Sequence, residues 1–161
     1  MPKKDNNKTL FYGLTHVGQV FSIGWAEKIG NCAVFDFDQK KLKEFKKKIV
    51  TSEEPSLKKY LIKNKNKIDF IKSSSEIKKY QNVFLTIDTP LTLNGIPNVN
   101  FIFEKIKTLK KYLGKNTNLI ITSQVYCGFC EDLKKKIFKD RKDINFIYMA
   151  ETLVMGNALE R

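Results

Sequence analysis

The chain has 161 residues, 42% of them hydrophobic, which suits one domain built around a single core. Lysine and arginine outnumber aspartate and glutamate by 30 to 17, and the net charge of +13 would suit an anionic partner. The arginines are limited to Arg141 and Arg161, however, and the lysines recur at the spacing of exposed helix faces. Nucleic-acid binding, which favours the forked guanidinium group, is therefore not expected.

The sequence contains no segment typical of membrane proteins. No apolar run reaches the ~20 residues needed to cross a bilayer, and the polar residues 1–8 lack the apolar stretch of a signal peptide. The expected compartment is the cytoplasm. The three cysteines, Cys32, Cys127 and Cys130, are accordingly expected to be reduced.

Strand, glycine turn and helix follow one another within the first thirty residues. A short β-prone run at 9–12 stops at Gly13, and residues 17–29 carry apolar side chains at helical spacing. The continuous apolar run at 32–37 predicts a strand that is buried on both faces, as in a parallel sheet. A lysine-rich helix is predicted at 39–48.

The same alternation continues to the end of the chain. Further strands are predicted at 68–71, 82–87, 118–122 and 144–150, and further helices within 52–62, 73–80, 99–113 and 128–138. Parallel strands are joined by right-handed crossovers, so this order predicts an α/β fold, a Rossmann-type doubly wound parallel sheet of about six strands with helices on both faces. We expect a polar tail at 1–8 and one domain at 9–161.

The loop after the first predicted strand has the spacing of a dinucleotide-binding turn. It reads Gly13-Leu14-Thr15-His16-Val17-Gly18, the pattern G-x-G-x-x-G with threonine at the second glycine. The first glycine permits the tight turn and the third permits close packing of helix on strand. A side chain at the middle position approaches the pyrophosphate, so Thr15 is the departure that matters most for the cofactor.

Asp36 ends the second predicted strand, about twenty residues after the turn. A carboxylate there can accept hydrogen bonds from both ribose hydroxyls of NAD and would repel the 2′-phosphate of NADP, so NAD is the predicted cofactor. Alternatively, Asp36 and Asp38 cap the following helix, a role that suits Asp38 in particular.

The order of these motifs resembles the UDP-glucose/GDP-mannose dehydrogenase family, whose members oxidise the C6 alcohol of a nucleotide sugar to a uronic acid with NAD. The resemblance covers nearly the whole chain. After the turn and Phe35-Asp36-Phe37-Asp38, the matching segments are Glu53-Glu54-Pro55-Ser56-Leu57, Phe84-Leu85-Thr86-Ile87-Asp88-Thr89-Pro90 with Asn94-Gly95, Thr122-Ser123-Gln124-Val125, and Ala150-Glu151-Thr152-Leu153-Val154-Met155-Gly156-Asn157-Ala158-Leu159.

The resemblance implies roles for residues at the ends of the later strands. Thr89, Pro90 and Ser123 would lie beside the cofactor, and Glu151 would assist water in the hydrolytic half of the reaction. Gln124 replaces the family's threonine at the reacting centre, where it can donate a hydrogen bond but cannot ionise. Without the family context, Thr89-Pro90 is a plain turn and Glu151 a capping carboxylate.

The resemblance also implies that this chain is an incomplete catalyst. The family's thiol nucleophile, lysine and aspartate belong to segments beyond the matched region, as do its central helix and UDP-binding domain. Without the thiol, the aldehyde stage cannot pass through a thioester. A nucleotide sugar is then expected to bind only with the missing domain, and a homo- or hetero-oligomer is compatible with this expectation.

Two motifs have weaker functional interpretations. Cys127-Gly128-Phe129-Cys130 could be a redox pair at a helix start, but its place after the fifth strand does not suit a thioredoxin-like core. No metal site is predicted, since only one further cysteine and one histidine exist. His16 is expected to fill space in the turn and not to act as a base.

Two other functions remain open at this point. A degenerate relative could keep the fold yet bind nucleotide weakly, acting as a non-catalytic interaction module, with Thr15 as the distinguishing feature. A basic nucleic-acid-binding domain would require clustered arginines or exposed aromatic residues, which the sequence does not offer.

Overall fold

The computed structural model describes residues 8–159, so most of the predicted tail and residues 160–161 lie outside the described part. Lys8, the last residue of that tail, already joins the fold, because its carbonyl accepts hydrogen bonds from the amides of Gln81 and Asn82. None of the helices within the described residues is long and apolar enough to span a membrane.

Within residues 8–159, six parallel strands form one sheet in the order β3-β2-β1-β4-β5-β6. The strands are β1 (Thr9–Tyr12), β2 (Cys32–Phe35), β3 (Ile68–Phe70), β4 (Asn82–Leu85), β5 (Asn118–Ile121) and β6 (Asn145–Tyr148). This is the strand order of the Rossmann fold, and the predicted fold class is confirmed.

In the described part of the chain, five α-helices lie between the strands. They are α1 (His16–Lys28), α2 (Gln39–Lys46), α3 (Leu57–Lys63), α4 (Val99–Lys110) and α5 (Phe129–Lys136), with short 3₁₀ helices at Lys65–Lys67 and Ser74–Lys79. Several elements end before their predicted limits. The second strand ends at Phe35, the last residue paired with β1, because the chain turns away at Asp36.

The helices divide between the two faces of the sheet, as expected. Buried side chains of α1, α2 and α3 share one core cluster with Phe11 and Val34, whereas those of α4 and α5 share the other with Leu10 and Tyr12. Successive strand residues point to opposite faces, so β1 contributes to both clusters. All four residues of β1 and of β2 are buried, and for β2 this is what the continuous apolar run predicts.

The topology also locates the crevice. β1 pairs with β2 on one side and with β4 on the other, so the strand order reverses between β1 and β4. The loops after these two strands therefore diverge and leave a cleft beyond their carboxyl ends, where ligands bind in open parallel sheets.

Candidate cofactor-binding site

The glycines of the turn allow a very close approach of strand and helix. Gly13 has a φ of +109°, and a Cβ there would lie 2.8 Å from Cγ1 of Ile87. A Cβ at Gly18 would lie 1.8 Å from the carbonyl oxygen of Gly13. Both positions require glycine, and the turn keeps the tight shape that a diphosphate needs.

Thr15, at the position of the missing glycine, is held against the end of β4. Its hydroxyl donates to the carbonyl oxygen of Thr86 at 2.6 Å, and the Thr86 hydroxyl donates to that of Gly13 at 2.7 Å. Thr15 is the N-cap residue of α1, yet its side chain makes no capping bond. No N-cap side chain therefore occupies the first amides of α1, which leaves an end of the helix suited to an anion.

The other residues of the turn have separate tasks. The side chains of Leu14 and Val17 are buried in the core, so only their backbone faces the cleft. The Nδ1 atom of His16 lies 2.6 Å from Oγ of Ser52. The imidazole thus packs against the loop before α3, which goes beyond the space-filling role expected for it.

Asp36 is fixed beside the turn by two backbone hydrogen bonds. Its Oδ2 accepts from the amide of Leu14 at 2.8 Å and its Oδ1 accepts from the amide of Asp38 at 2.8 Å. Asp38, in contrast, caps α2 by accepting from the amides of Lys40 and Lys41. The capping role predicted for Asp38 is confirmed, whereas Asp36 holds the turn instead and keeps oxygen lone pairs for a ligand.

The loops after β4 and β5 are tied to each other at the same edge of the sheet. The Thr89 hydroxyl donates to the carbonyl oxygen of Gln124 at 2.7 Å, and the Ser123 hydroxyl donates to that of Ile87 at 2.6 Å. Pro90 follows Thr89, and its carbonyl oxygen accepts from the amide of Asn98. The predicted residues of these loops therefore stand together at the mouth of the cleft.

Asp88 is a site residue that the sequence analysis did not single out. Loss of solvent around its carboxyl group raises its pKa, against the opposing effects of the polar Thr15 side chain, Lys41 and His16, while Glu151 raises it further. Residues of the glycine turn, of α2 and of the stretch after β6 therefore all act on this one carboxyl group. In the sequence, the signal that could have identified Asp88 is an acid directly after the fourth predicted strand, beside which the strand order reverses.

Glu151 lies in irregular structure after β6, close enough to Asp88 for a repulsive interaction. Its carboxylate accepts a hydrogen bond from the amide of Leu153, so it caps a turn of its own segment. Glu151 and residues of the dinucleotide turn thus both act on the Asp88 carboxyl group.

The three cysteines are free thiols. Cys32 is buried in β2, where its thiol donates to the carbonyl oxygen of Ser22, and burial raises its pKa to about 12. Cys127 and Cys130 are free thiols before and within α5, and burial raises the pKa of Cys130. Within residues 8–159, no three metal-ligating side chains cluster together.

Comparison with known protein families identifies the domain. Residues 7–161 match the family model described as the NAD binding domain of the UDP-glucose/GDP-mannose dehydrogenase family. The chain belongs to this family. Its cofactor is NAD, and the glycine turn and the uncapped start of α1 fit that dinucleotide.

Curated relatives of the chain include two bacterial enzymes. The UDP-glucose 6-dehydrogenase of Rickettsia bellii is 25% identical over 153 residues, covering 93% of this chain and 35% of the relative. That of Rickettsia prowazekii is 26% identical over 154 residues, with coverage of 93% and 35%. The chain therefore spans about a third of the length of these relatives.

Solved structures support the fold. A GDP-mannose dehydrogenase from Pseudomonas aeruginosa superposes with a TM-score of 0.83 at 16% identity, covering 95% of this chain and 38% of that protein. A UDP-glucose dehydrogenase from Pyrobaculum islandicum gives a TM-score of 0.79 at 20% identity, with coverage of 99% and 39%.

Proposed function

We propose that this chain is the NAD-binding part of a nucleotide-sugar 6-dehydrogenase, which oxidises the C6 alcohol of the sugar to a uronic acid. The observation that carries the proposal is the open amide end of α1 beside the Asp36 carboxylate. Family membership supports the same reaction class. As uronic acids are building blocks of polysaccharides, we place the protein in polysaccharide biosynthesis in the cytoplasm.

The residues of the cleft would divide the cofactor between them. The backbone from Gly13 to Gly18 would hold the diphosphate, because helix-start amides favour an anion. Asp36 would accept hydrogen bonds from the adenosine ribose. On the far side, Thr89, Pro90 and Ser123 would flank the nicotinamide half.

The first half of the reaction, the oxidation of the alcohol, needs a hydride acceptor. Bound NAD would supply that acceptor. Glu151 would hold and deprotonate water in the hydrolytic half, a task for a carboxylate in the cleft. Gln124 can orient a water molecule or the sugar by hydrogen bonding and cannot take up a proton in this role.

The domain is expected to need more protein for turnover. Its length is about a third of that of the full dehydrogenases that it resembles. We propose that residues 9–161 act with a second polypeptide region, from the same or another chain, that binds the nucleotide sugar and supplies the thiol nucleophile.

Calorimetric titration of the purified chain tests the cofactor assignment. We expect NAD to bind, Asp36→Asn to weaken NAD binding about 10-fold or more, and NADP to bind at least about 10-fold more weakly than NAD, since charged hydrogen bonds contribute the discrimination. The matched control is Asp38→Asn, which removes the same charge from the helix cap and should leave the NAD affinity nearly unchanged.

Two results would redirect the proposal. Absence of binding at millimolar NAD would favour a degenerate domain that acts as an interaction module, with Thr15 as the obstacle. Equal affinities for NAD and NADP would remove Asp36 from the ribose site. With UDP-glucose and NAD present, this chain alone should produce no NADH, and rapid production would contradict the need for a partner region.

A further inference from the structure

A buried carboxylate lies beneath the cofactor turn, in the loop before α3. The side chain of Glu54 is 2% exposed. Its Oε1 accepts a hydrogen bond from the amide of Gly156 at 2.9 Å, and its Oε2 accepts one from the amide of Ala158 at 3.2 Å. One side chain thus holds two backbone amides more than a hundred residues further along the chain.

His16 faces the same carboxylate from the first turn of α1. Its Nε2 atom lies 3.5 Å from Oε1 of Glu54, is buried, and has no hydrogen-bond partner among the described residues. If Ser52 donates to Nδ1, Nε2 carries the proton and presents it to Glu54. The contact therefore joins the helix end that should hold the diphosphate to the carboxylate that holds residues 156 and 158.

Residues 151–159, here called the C-terminal segment, connect this carboxylate to the cleft. Glu151 begins the segment and interacts with Asp88. Leu153, Ala158 and Leu159 pack with the α1–α3 core and line a groove of about 320 Å³ together with Trp25, the single tryptophan of the chain. The position of Glu151 thus depends on how firmly this segment is held.

Burial of Glu54 carries an energetic cost. A carboxylate removed from water is destabilising unless hydrogen bonds and opposite charge compensate it. Among residues 8–159, no lysine or arginine lies within ion-pairing distance of Glu54, so the two amides and His16 provide the compensation. Each of these three partners belongs to the cofactor turn or to the C-terminal segment.

We propose that Glu54 is a positioning residue that couples the two. Through the amides of Gly156 and Ala158 it fixes the segment that carries Glu151, and through His16 it links that segment to the NAD-binding turn. Bound NAD restrains the first turn of α1, so it also tightens the C-terminal segment. The proposal rests on the proposed function for the role of Glu151, while its tests measure only structure and NAD binding.

Quenching of Trp25 fluorescence by acrylamide measures release of the segment. Glu54→Gln puts an amide donor opposite a backbone donor, so the segment loosens and quenching of Trp25 increases. Glu53→Gln makes the same chemical change at the exposed neighbouring residue and should leave quenching unchanged. Circular dichroism and thermal unfolding establish that both variants are folded. Unchanged quenching in a folded Glu54→Gln variant overturns the role of Glu54.

NAD titration tests the link to the turn. We expect Glu54→Gln to weaken NAD binding about 5- to 10-fold, a loss the size of one ordinary hydrogen bond, and Glu53→Gln to have no effect. His16→Gln should also weaken binding, and the double variant should bind nearly as well as the weaker single variant, because both changes break one connection. Additive losses of NAD affinity in the double variant overturn the coupling. An unaltered NAD affinity in a Glu54→Gln variant whose C-terminal segment is loosened also overturns it.

A third measurement needs no variant. Amide hydrogen exchange at Gly156 and Ala158, followed by NMR in the wild-type chain, should slow when NAD saturates the protein. Equal exchange rates with and without bound NAD contradict the proposal. Because no nucleotide sugar is present, a failure here is distinct from a failure to oxidise the sugar, which would count against the proposed function alone.

Discussion

The two halves of the sheet differ in how completely the chain covers them. In the half formed by β1–β3, helices α1–α3 close one face, and β1 and β2 are buried along their whole length. In the half formed by β4–β6, helices α4 and α5 cover the opposite face. β6, at the edge, is mostly exposed, and Ile147 retains 46% of its accessible surface.

The α1 side of the second half is chemically mixed. Asn82, Asn118 and Asn145 form a hydrogen-bonded ladder across β4, β5 and β6. Two residues further along these strands, Phe84 in β4 pairs with Ile120 in β5, which pairs in turn with Ile147 in β6. Apolar strands alone therefore do not guarantee burial, because each face also needs a covering layer.

The largest effect on the free energy of unfolding is expected from alanine substitution of a glycine in α1, the helix that covers the β1–β3 half. Gly18→Ala forces a Cβ to within 1.8 Å of the Gly13 carbonyl oxygen and should destabilise the fold by at least about 3 kcal/mol. Gly24→Ala is the matched control, because its Cβ meets only the end of Leu159 at 3.9 Å. It should be neutral or stabilise by up to ~1 kcal/mol, as for alanine in a helix.

Urea denaturation of the two variants measures the difference. Equal destabilisation by the two substitutions would show that α1 packs as tightly at Gly24, which lines the groove, as at Gly18, which lies against the turn.

The second effect compares two isoleucines on opposite edge strands. Ile68 in β3 is 3% exposed, whereas Ile147 in β6 is 46% exposed. Ile68→Ala should lower the free energy of unfolding by about 2–4 kcal/mol, and Ile147→Ala by less than about 1 kcal/mol, since only the first change leaves a cavity. Similar losses in chemical denaturation would show that β6 is buried in solution, for example by a partner.

The smallest effect concerns Asp88, which lies where the two halves meet. Asp88→Asn removes a negative charge from the cleft and should strengthen binding of the anionic cofactor by about 2- to 5-fold at low salt. Glu104→Gln, on the exposed surface of α4, is the control for net charge. Weaker NAD binding to Asp88→Asn would instead assign the carboxylate a direct contact with the cofactor.

The same residue predicts a pH dependence. Its pKa is raised in the folded state, so its contribution to stability is present at low pH and is lost as the pH rises through the folded value. As the pH rises above about 4, the ordinary pKa of an aspartate, the stability of Asp88→Asn relative to wild type should therefore increase, because ionisation of Asp88 is resisted in the folded state. Denaturation curves across this range measure it, and an opposite slope would contradict the raised pKa.

Local patterns were sufficient for the elements of the fold. The apolar runs and helical spacings predicted all six strands. The two acids that follow the second strand indicated Asp36 as a candidate site residue and Asp38 as the capping residue. Strand ends were less accurate. The fourth strand, predicted to Ile87, ends at Leu85, the last residue that it pairs with β1 and with β5.

The sequence by itself determined the class of fold, a Rossmann-type doubly wound sheet, together with the glycine turn and the prediction of NAD, because these follow from short-range periodicity and residue types at fixed spacing. Only the tertiary structure decided that Thr15 bonds to Thr86, that Glu151 acts on the Asp88 carboxyl group, and that Glu54 holds Gly156 and Ala158. These contacts join residues about 60 to 100 positions apart, and their geometry depends on how the strands pair and the loops meet, which no local pattern specifies.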